Sequence, residues 1–532
     1  MLVFAGCSYA HAESAGRKSG LSFSVGREGL DSLSFGDQTL VTETEDGELR
    51  FYDRVQIYKP ISISADPNAS SLSQIDLKFP WGRAVCLYRR RRNQIAIKVQ
   101  VTNNSAQPLN DLSARLMKVT FPFTPVGGTL EAGMFGYGFK GDMSPLTNPW
   151  PLTVNPQFAA PVIHMDYRAG AVNFCSNDFS TPITLSAPAN PPAATSYALE
   201  IFCGTLEAAE SKTFEVSLRF GAAGATLRRL SGDVLQNYRR RYPFRLKWKD
   251  HRPIGMIYLA SSGITEPDNP RRWIMNLGKI DVRTEKGKAE FREALLALAD
   301  RSVKILKTMN AQGMITWDPE GQEFAESVYY GDPRLTPVLA PEMESKGERT
   351  AAAIDEYFAR FRRAGLKVGI CIRPQQITMV EGKPRHEERD GEHAVQALKD
   401  KITYAKERWG CTLFYVDTTT AGGRPLDPDV FKELAQKYPD VLFIPENESM
   451  RYFAYSAPLN SYFHHNITST PAGARAVYPH AFSALMAPAG DKPEHHGELV
   501  AAVRRGDILL FNGWYGDPAL DKIRKIYHEA AQ

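Results

Sequence analysis

The chain is predicted to join an N-terminal antiparallel β-sandwich, supersandwich-like in size, to a C-terminal (β/α)8 barrel. Three observations predict this. Residues 21–220 read as short alternating strands with no long amphipathic helix between them. Past Asp250 the rhythm changes to strands alternating with helices, which implies a parallel sheet. Residues 411–448 condense one βαβ unit of that second half, with Asp417 ending one strand and Glu446 ending the next.

Residues 1–18 read as the remnant of an export signal, a short apolar run followed by Ala10-His11-Ala12. Phe4-Ala5-Gly6-Cys7 also resembles a bacterial lipoprotein box, in which Cys7 carries lipid. A periplasmic or secreted location, with an anchor through Cys7 as one form of it, is the expectation. The sandwich occupies 19–225, with strands at 22–25, 57–63, 84–88, 95–101, 172–174 and 213–220 separated by Gly, Asn, Asp and Pro. The arginines at 89–92 fit a hairpin tip. The Pro-rich stretch 140–161, carrying Trp150, reads as a long loop without regular structure. Residues 226–250 form a connecting helix and linker, with Leu227, Leu230, Val234, Leu235 and Tyr238 on one face and Arg239, Arg240 and Arg241 at its solvated end.

The barrel occupies 251–532. Its strands are expected at 255–260, 314–317, 367–372, 412–416, 441–444, 459–463, 481–486 and 508–511, the sixth and seventh being the weakest in pattern. A helix at 288–310 puts Phe291, Leu295, Leu298, Ile305, Leu306 and Met309 on one face. Gly313, Gly365 and Gly410 stand where helices should stop. Asp427 is placed as N-cap and Pro428 as first residue of the helix between the fourth and fifth strands.

Composition narrows the function. Lys and Arg number 64 against 60 Asp and Glu, for a net charge of +4, so neither nucleic acid nor a membrane surface is implied as partner. No apolar run reaches the length of a membrane span. The cysteines have no CxxC spacing, and Cys371 and Cys411 lie within or beside core strands, as small buried hydrophobes do.

Function in such a barrel gathers at the carboxyl ends of its strands. Those ends carry Trp317, Asp318 and Glu320 after the second, Arg373 and Gln375 after the third, and Asp417 after the fourth. Glu446 and Glu448 follow the fifth, His464, His465 and Asn466 the sixth, Asp491 the seventh, and Asn512, Trp514, Tyr515 and Asp517 the eighth. Alternation puts Leu413, Tyr415 and Asp417 on one face and Leu442, Ile444 and Glu446 on one face of the next strand. If both faces point inward, two carboxyls meet across a cleft, which is what cleavage of a glycosidic bond requires. Asp417 is assigned as nucleophile, held ionised if the Arg373 guanidinium reaches it. Glu446 is assigned as acid/base, its pKa raised by burial and carboxylate neighbours, with Glu448 as substitute. Trp317, Tyr415 and Trp514 are candidate surfaces for sugar rings, and Trp409 is expected to pack. A spacing of about 5–5.5 Å between the carboxyls is expected for retention and about 6.5–9.5 Å for inversion.

An Asp after the fourth strand and a Glu after the fifth, behind a large N-terminal sandwich, resemble the retaining α-glycosidase barrels of the α-amylase clan. In domain order the chain is more similar to the endo-α-N-acetylgalactosaminidase group with its supersandwich. The resemblance implies a nucleophile at Asp417, an acid/base at Glu446 and an α-linked substrate. The clan has Arg two residues before its nucleophile, where this chain has Tyr415.

The leading expectation is therefore a retaining glycoside hydrolase or transglycosylase acting on oligo- or polysaccharide. A second is a glycan-binding barrel that has lost the reaction. A third, a metal-dependent hydrolase built on the pairs His464-His465 and His495-His496 with Asp491, lacks the HxH and HExxH spacings that place two imidazoles on one ion. No phosphate-binding glycine loop is present in the sequence, which argues against nucleotide chemistry. No cofactor is expected, and no ligand loop for a structural Ca²⁺ is legible.

Overall fold

The computed structural model describes residues 20–27, 29–36, 38–41, 49–66, 72–121, 129–134, 137–142, 152–157, 159–167, 170–186, 195–276, 280–329, 331–347, 349–387, 391–421, 424–447, 449–461, 469–488, 495–512, 514 and 521–532. The export signal with Cys7, and Trp150, Glu448, His464, His465, Asn466, Asp491, Tyr515 and Asp517, lie outside the described residues. The chain divides into two compact units, one of residues 1–131, 140–156 and 161–234, the other of 132–139, 157–160 and 235–532.

Period-two alternation builds the first unit. In Leu72–Phe79 the odd positions Ser73, Ile75, Leu77 and Phe79 are buried while Gln74 and Lys78 face water. Gly82–Arg91 and Gln94–Asn103 repeat the pattern and pair antiparallel through a two-residue turn, Arg92-Asn93. Arg92 takes a left-handed φ of 50°, as such hairpin turns demand. The arginines at 89–92 are thus at a hairpin tip. Among the described residues the strands of the N-terminal half form three antiparallel sheets, of three, six and nine strands. The Tyr88 hydroxyl in the largest donates to the Leu116 carbonyl in the six-stranded sheet at 3.3 Å.

Two local readings change. The stretch 140–161 is not wholly irregular, because Leu152–Val154 pairs with Ile183–Ser186 at the end of the six-stranded sheet. An end strand tolerates flanking prolines, and only its partner reveals it. The single strand expected at 57–63 is two, Ile57–Tyr58 and Ser62–Asp66, in different sheets on either side of Pro60. The connecting helix, Leu227–Arg241, ends on Arg239, Arg240 and Arg241 and kinks at Ser231.

The second unit contains all eight expected barrel strands. They are β1 (Ile254–Tyr258), β2 (Gly313–Trp317), β3 (Lys367–Ile372), β4 (Leu413–Val416), β5 (Leu442–Pro445), β6 (Leu459–Ser461), β7 (Ala484–Pro488) and β8 (Ile508–Asn512). All neighbours pair parallel in the order β5-β4-β3-β2-β1-β8-β7-β6. Between β6 and β5 there is no ladder among the described residues; the Ala457 amide, two residues before β6, donates to the Phe443 carbonyl at 3.0 Å. The barrel is nearly closed, and its weakest strand is the three-residue β6 that follows Pro458.

Burial on both faces explains why strands such as β4, β5 and β8 read as apolar runs. The inward set is Met256, Ile315, Trp317, Cys371, Leu413, Tyr415, Leu442, Ile444, Leu459, Ala484, Ile508 and Leu510. Helices cover the outside, the longest being Glu285–Thr308, whose Thr284 cap accepts the Gly287 amide at 2.9 Å. The helix between β4 and β5 is Asp429–Lys437, with Pro428 itself at the cap position and the Asp427 carboxylate accepting the Asp429 amide at 2.8 Å. Gly365 and Gly410 follow helices with left-handed φ of 78° and 71°. Gly313 does not: Asn310, at φ 54°, takes the stop position, and Gly313 is the first residue of β2, where a Cβ would press on the Lys367 carbonyl.

Gly369, in β3, is under the same constraint, since a Cβ there would collide with the carbonyl oxygen of Leu413 on β4. Gly369→Ala is expected to force the two strands apart and to lower unfolding free energy by about 1–3 kcal/mol, read from a chemical denaturation curve.

Candidate active site

The carboxyl ends of β2 to β5 bring one set of polar side chains together. Because Leu413 and Tyr415 point into the barrel, Asp417 two residues later does too, and Leu442 and Ile444 do the same for Glu446. Arg373 follows inward Cys371 on β3. Its guanidinium meets the Asp417 carboxylate, Nε to Oδ2 at 2.7 Å and Nη2 to Oδ2 at 2.5 Å, with the Asp417 side chain only 9% exposed. The cation beside Asp417 therefore comes from the neighbouring strand, and Tyr415 is buried in the barrel core.

Glu446 is partly exposed and within hydrogen-bonding range of Asp417. Burial first, then the charge and hydrogen bond of Asp417, push its pKa up to about 8, against the pull of the Thr418 amide and Arg373. The Thr418 amide donates to Glu446 Oε2 at 2.7 Å. Thr418 reaches that position through a left-handed φ of 46°, uncommon for a β-branched residue and worth about 1–3 kcal/mol of local strain. The pair of carboxyls is thus closer than either spacing expected from the sequence.

The other candidates separate into those that touch this pair and those that hold it. Gln375 is buried, and its amide nitrogen donates to the carbonyls of Thr418 and Thr420 at 3.3 and 3.0 Å. Asp318, also at a left-handed φ of 53°, accepts the Gln322 amide at 2.6 Å and the Tyr329 N–H at 2.8 Å, tying down the loop after β2. Burial raises its pKa to about 7. Glu320 is 2% exposed with both carboxyl oxygens inaccessible and without a hydrogen-bond partner among the described residues, and burial with the nearby Asp318 charge raises its pKa to about 8. Glu320 is a buried group within the loop after β2, not one that reaches a ligand from solvent. Trp317 is the top of the barrel core, against Tyr258 at 5.3 Å and Tyr415 at 5.0 Å.

Trp514 is corrected by its surroundings. Its side chain is fully buried and its indole N–H donates to the Met256 carbonyl at 2.8 Å, so it packs and presents no face to a sugar. Trp409 packs as expected, stacked on Phe358 at 4.6 Å. His495 and His496 pair with Glu498 and Glu529 at 3.2 and 2.9 Å, and among the described residues no three His, Cys, Asp or Glu converge to hold a metal. Cys86, Cys175, Cys203, Cys371 and Cys411 are buried thiols. The sequence reading missed Tyr258 and Tyr329, partly exposed rings 5.8 Å apart at the mouth, and Asn447, which donates to Thr419 Oγ1 at 3.1 Å. Tyr258 was legible as the last inward residue of β1; Tyr329 arrives on a loop and had no local signal.

No protein-family model matches the chain, and no curated protein does. Solved structures with a similar arrangement include a GH36 α-galactosidase from Geobacillus stearothermophilus, at 13% sequence identity over 98% of this chain and 76% of that one, with a TM-score of 0.47. An α-galactosidase from Lactobacillus brevis is similar at 12% identity over 92% of this chain and 73% of that one, TM-score 0.44. A galactose mutarotase related enzyme from Lactobacillus acidophilus covers 39% of this chain and 96% of its own, at 7% identity and a TM-score of 0.30.

The buried carboxyls make stability depend on pH. Glu320 is raised from 4.5 to about 8, so the folded protein binds more protons than the unfolded chain between those values, and stability falls as pH rises through that window. Glu320→Gln removes the share of that dependence due to Glu320, leaving those of Asp318 and Glu446. It is expected to gain on wild type by on the order of a few kcal/mol between pH 5 and pH 9, measured by denaturant titration at each pH.

Proposed function

We propose that the protein is a glycoside hydrolase that acts on oligo- or polysaccharide outside the cytoplasm through a retaining mechanism. The observation that carries the reading is the Asp417–Glu446 pair at the carboxyl mouth of the barrel, with Arg373 against one member and a raised pKa on the other. The acid of such a reaction must hold its proton at working pH, and Glu446, at about 8, does so near neutrality.

Arg373 engages Oδ2 of Asp417, and Oδ1, which accepts the Thr418 hydroxyl at 3.4 Å, is the oxygen that attacks the anomeric carbon. As that bond forms, the bond to the leaving oxygen breaks and Glu446 delivers its proton to that oxygen. The glycosyl ester on Asp417 is then cleaved by water, whose proton passes to Glu446 while its oxygen bonds the anomeric carbon and releases the carboxylate. A sugar ring entering the mouth parts the two carboxyls from their proton-sharing contact to the separation the displacement needs. Tyr258 and Tyr329 supply the apolar ring faces at the entrance.

A panel of aryl α- and β-glycosides and glycans tests this, with the α-linked set expected to respond in keeping with the resemblance of domain order. Asp417→Asn and Glu446→Gln should each lower kcat/KM by about 10³-fold or more while the protein stays folded. Wild-type activity should decline as pH rises through about 8, where Glu446 loses its proton. Turnover undiminished in both variants would place the chemistry elsewhere, and oligosaccharide binding without turnover, indifferent to Asp417→Asn, would favour the glycan-binding reading.

A further inference from the structure

Lys401 occupies a position that its helix, Gly391–Trp409, otherwise fills with apolar residues: Ala394, Ala397, Leu398, Ile402 and Ala405 share its buried face. It is fully buried. An ammonium in such a place is retained only where its donors find acceptors. Two are the carbonyl oxygens of Arg373, at 2.9 Å, and of Gln375, at 2.7 Å. Both residues lie beyond the end of β3, where the chain has left the strand ladder.

These two residues are the ones that grip the end of β4. Arg373 holds the Asp417 carboxylate, and Gln375 holds the carbonyls of Thr418 and Thr420. Thr418 in turn gives its amide to Glu446. One buried cation therefore fixes the backbone from which both carboxyls of the pair are positioned.

We propose that Lys401 is a positioning residue for the carboxyl pair, acting from beneath the mouth through the carbonyls of Arg373 and Gln375. The proposal rests on Asp417 and Glu446 being the reacting groups. The charged groups that act on Lys401 most strongly are Asp332, Arg334 and Glu320, and Asp332 is engaged by Arg334 at 2.7 Å. Burial lowers the Lys401 pKa to about 8, consistent with a group held for its hydrogen bonds in a dry setting.

The test reads the pair directly. The Glu446 carboxyl is followed by ¹³C NMR from pH 4 to 10 in the full chain, its signal identified by its loss in Glu446→Gln. In Lys401→Met the midpoint is expected to move up by ~0.5 unit or more as Arg373 loosens from Asp417, and to return toward the wild-type value in Lys401→Arg, which keeps donors and charge. On a glycoside that the wild type cleaves, kcat in Lys401→Met should fall about tenfold with KM within about twofold. An unchanged midpoint beside a lowered melting temperature would make Lys401 a structural residue only and overturn the proposal. Should Lys401→Met not fold, Lys401→Gln, which keeps a donor without the charge, is read in the same way. The titration needs no substrate, so it reports whether Lys401 positions the pair separately from whether that pair cleaves a glycoside.

Discussion

Two carboxyl groups within hydrogen-bonding range of each other repel when both carry charge, so one of them holds its proton to higher pH than a lone carboxyl does. The organisation of the barrel mouth follows from that constraint on Asp417 and Glu446. A fixed guanidinium, Arg373, stands against one carboxyl and the amide of a strained Thr418 stands against the other, so the two meet unlike surroundings and Glu446 is held above its ordinary pKa. Without the cation, the pair would lose the asymmetry that distinguishes an attacking group from a proton donor.

Holding that arrangement costs stability, and the cost is distributed around it. Thr418 and Asp318 sit in left-handed backbone conformations beyond the ends of β4 and β2, Glu320 is a carboxyl without a hydrogen-bond partner among the described residues, and Lys401 is an ammonium inside a helix-to-strand interface. Each is unfavourable taken alone. The compensation is a barrel whose inward layer is continuous from Ile254 to Leu510 and whose strands are buried on both faces, so the strained rim rests on a rigid floor. The rim's own hydrogen bonds run between strand ends, from β3 to β4 and from β4 to β5.

The unequal legibility of the chain has the same origin. Strands such as β4, β5 and β8 could be read because burial on both faces leaves apolar runs, and because Gly365 and Gly410 mark helix ends through a backbone conformation that other residues avoid. Counting by twos along β4 and β5 grouped Asp417 with Leu413 and Tyr415 and Glu446 with Leu442 and Ile444, and the structure turns those faces inward. Where the signal was local but the partner distant, the reading went astray. Trp514, flanked by glycines, looked like an exposed ring, yet its indole has a carbonyl on β1 to satisfy and a core to fill. Leu152–Val154 looked irregular until Ile183–Ser186 lay beside it.

By itself the sequence determined the two-part architecture, the parallel order of strands and helices in the second half, and which carboxylates stand at strand ends, because periodicity and helix punctuation are properties of neighbouring residues. Only the tertiary structure decided that Arg373 reaches Asp417, that Glu446 stands within hydrogen-bonding range of it, that Glu320 is buried in the loop after β2, and that Lys401 bonds the carbonyls of Arg373 and Gln375. The Lys401–Gln375 and Arg373–Asp417 bonds, for example, join residues 26 and 44 positions apart in the chain. Charge and burial act through space, and a local pattern carries no record of what lies across the barrel.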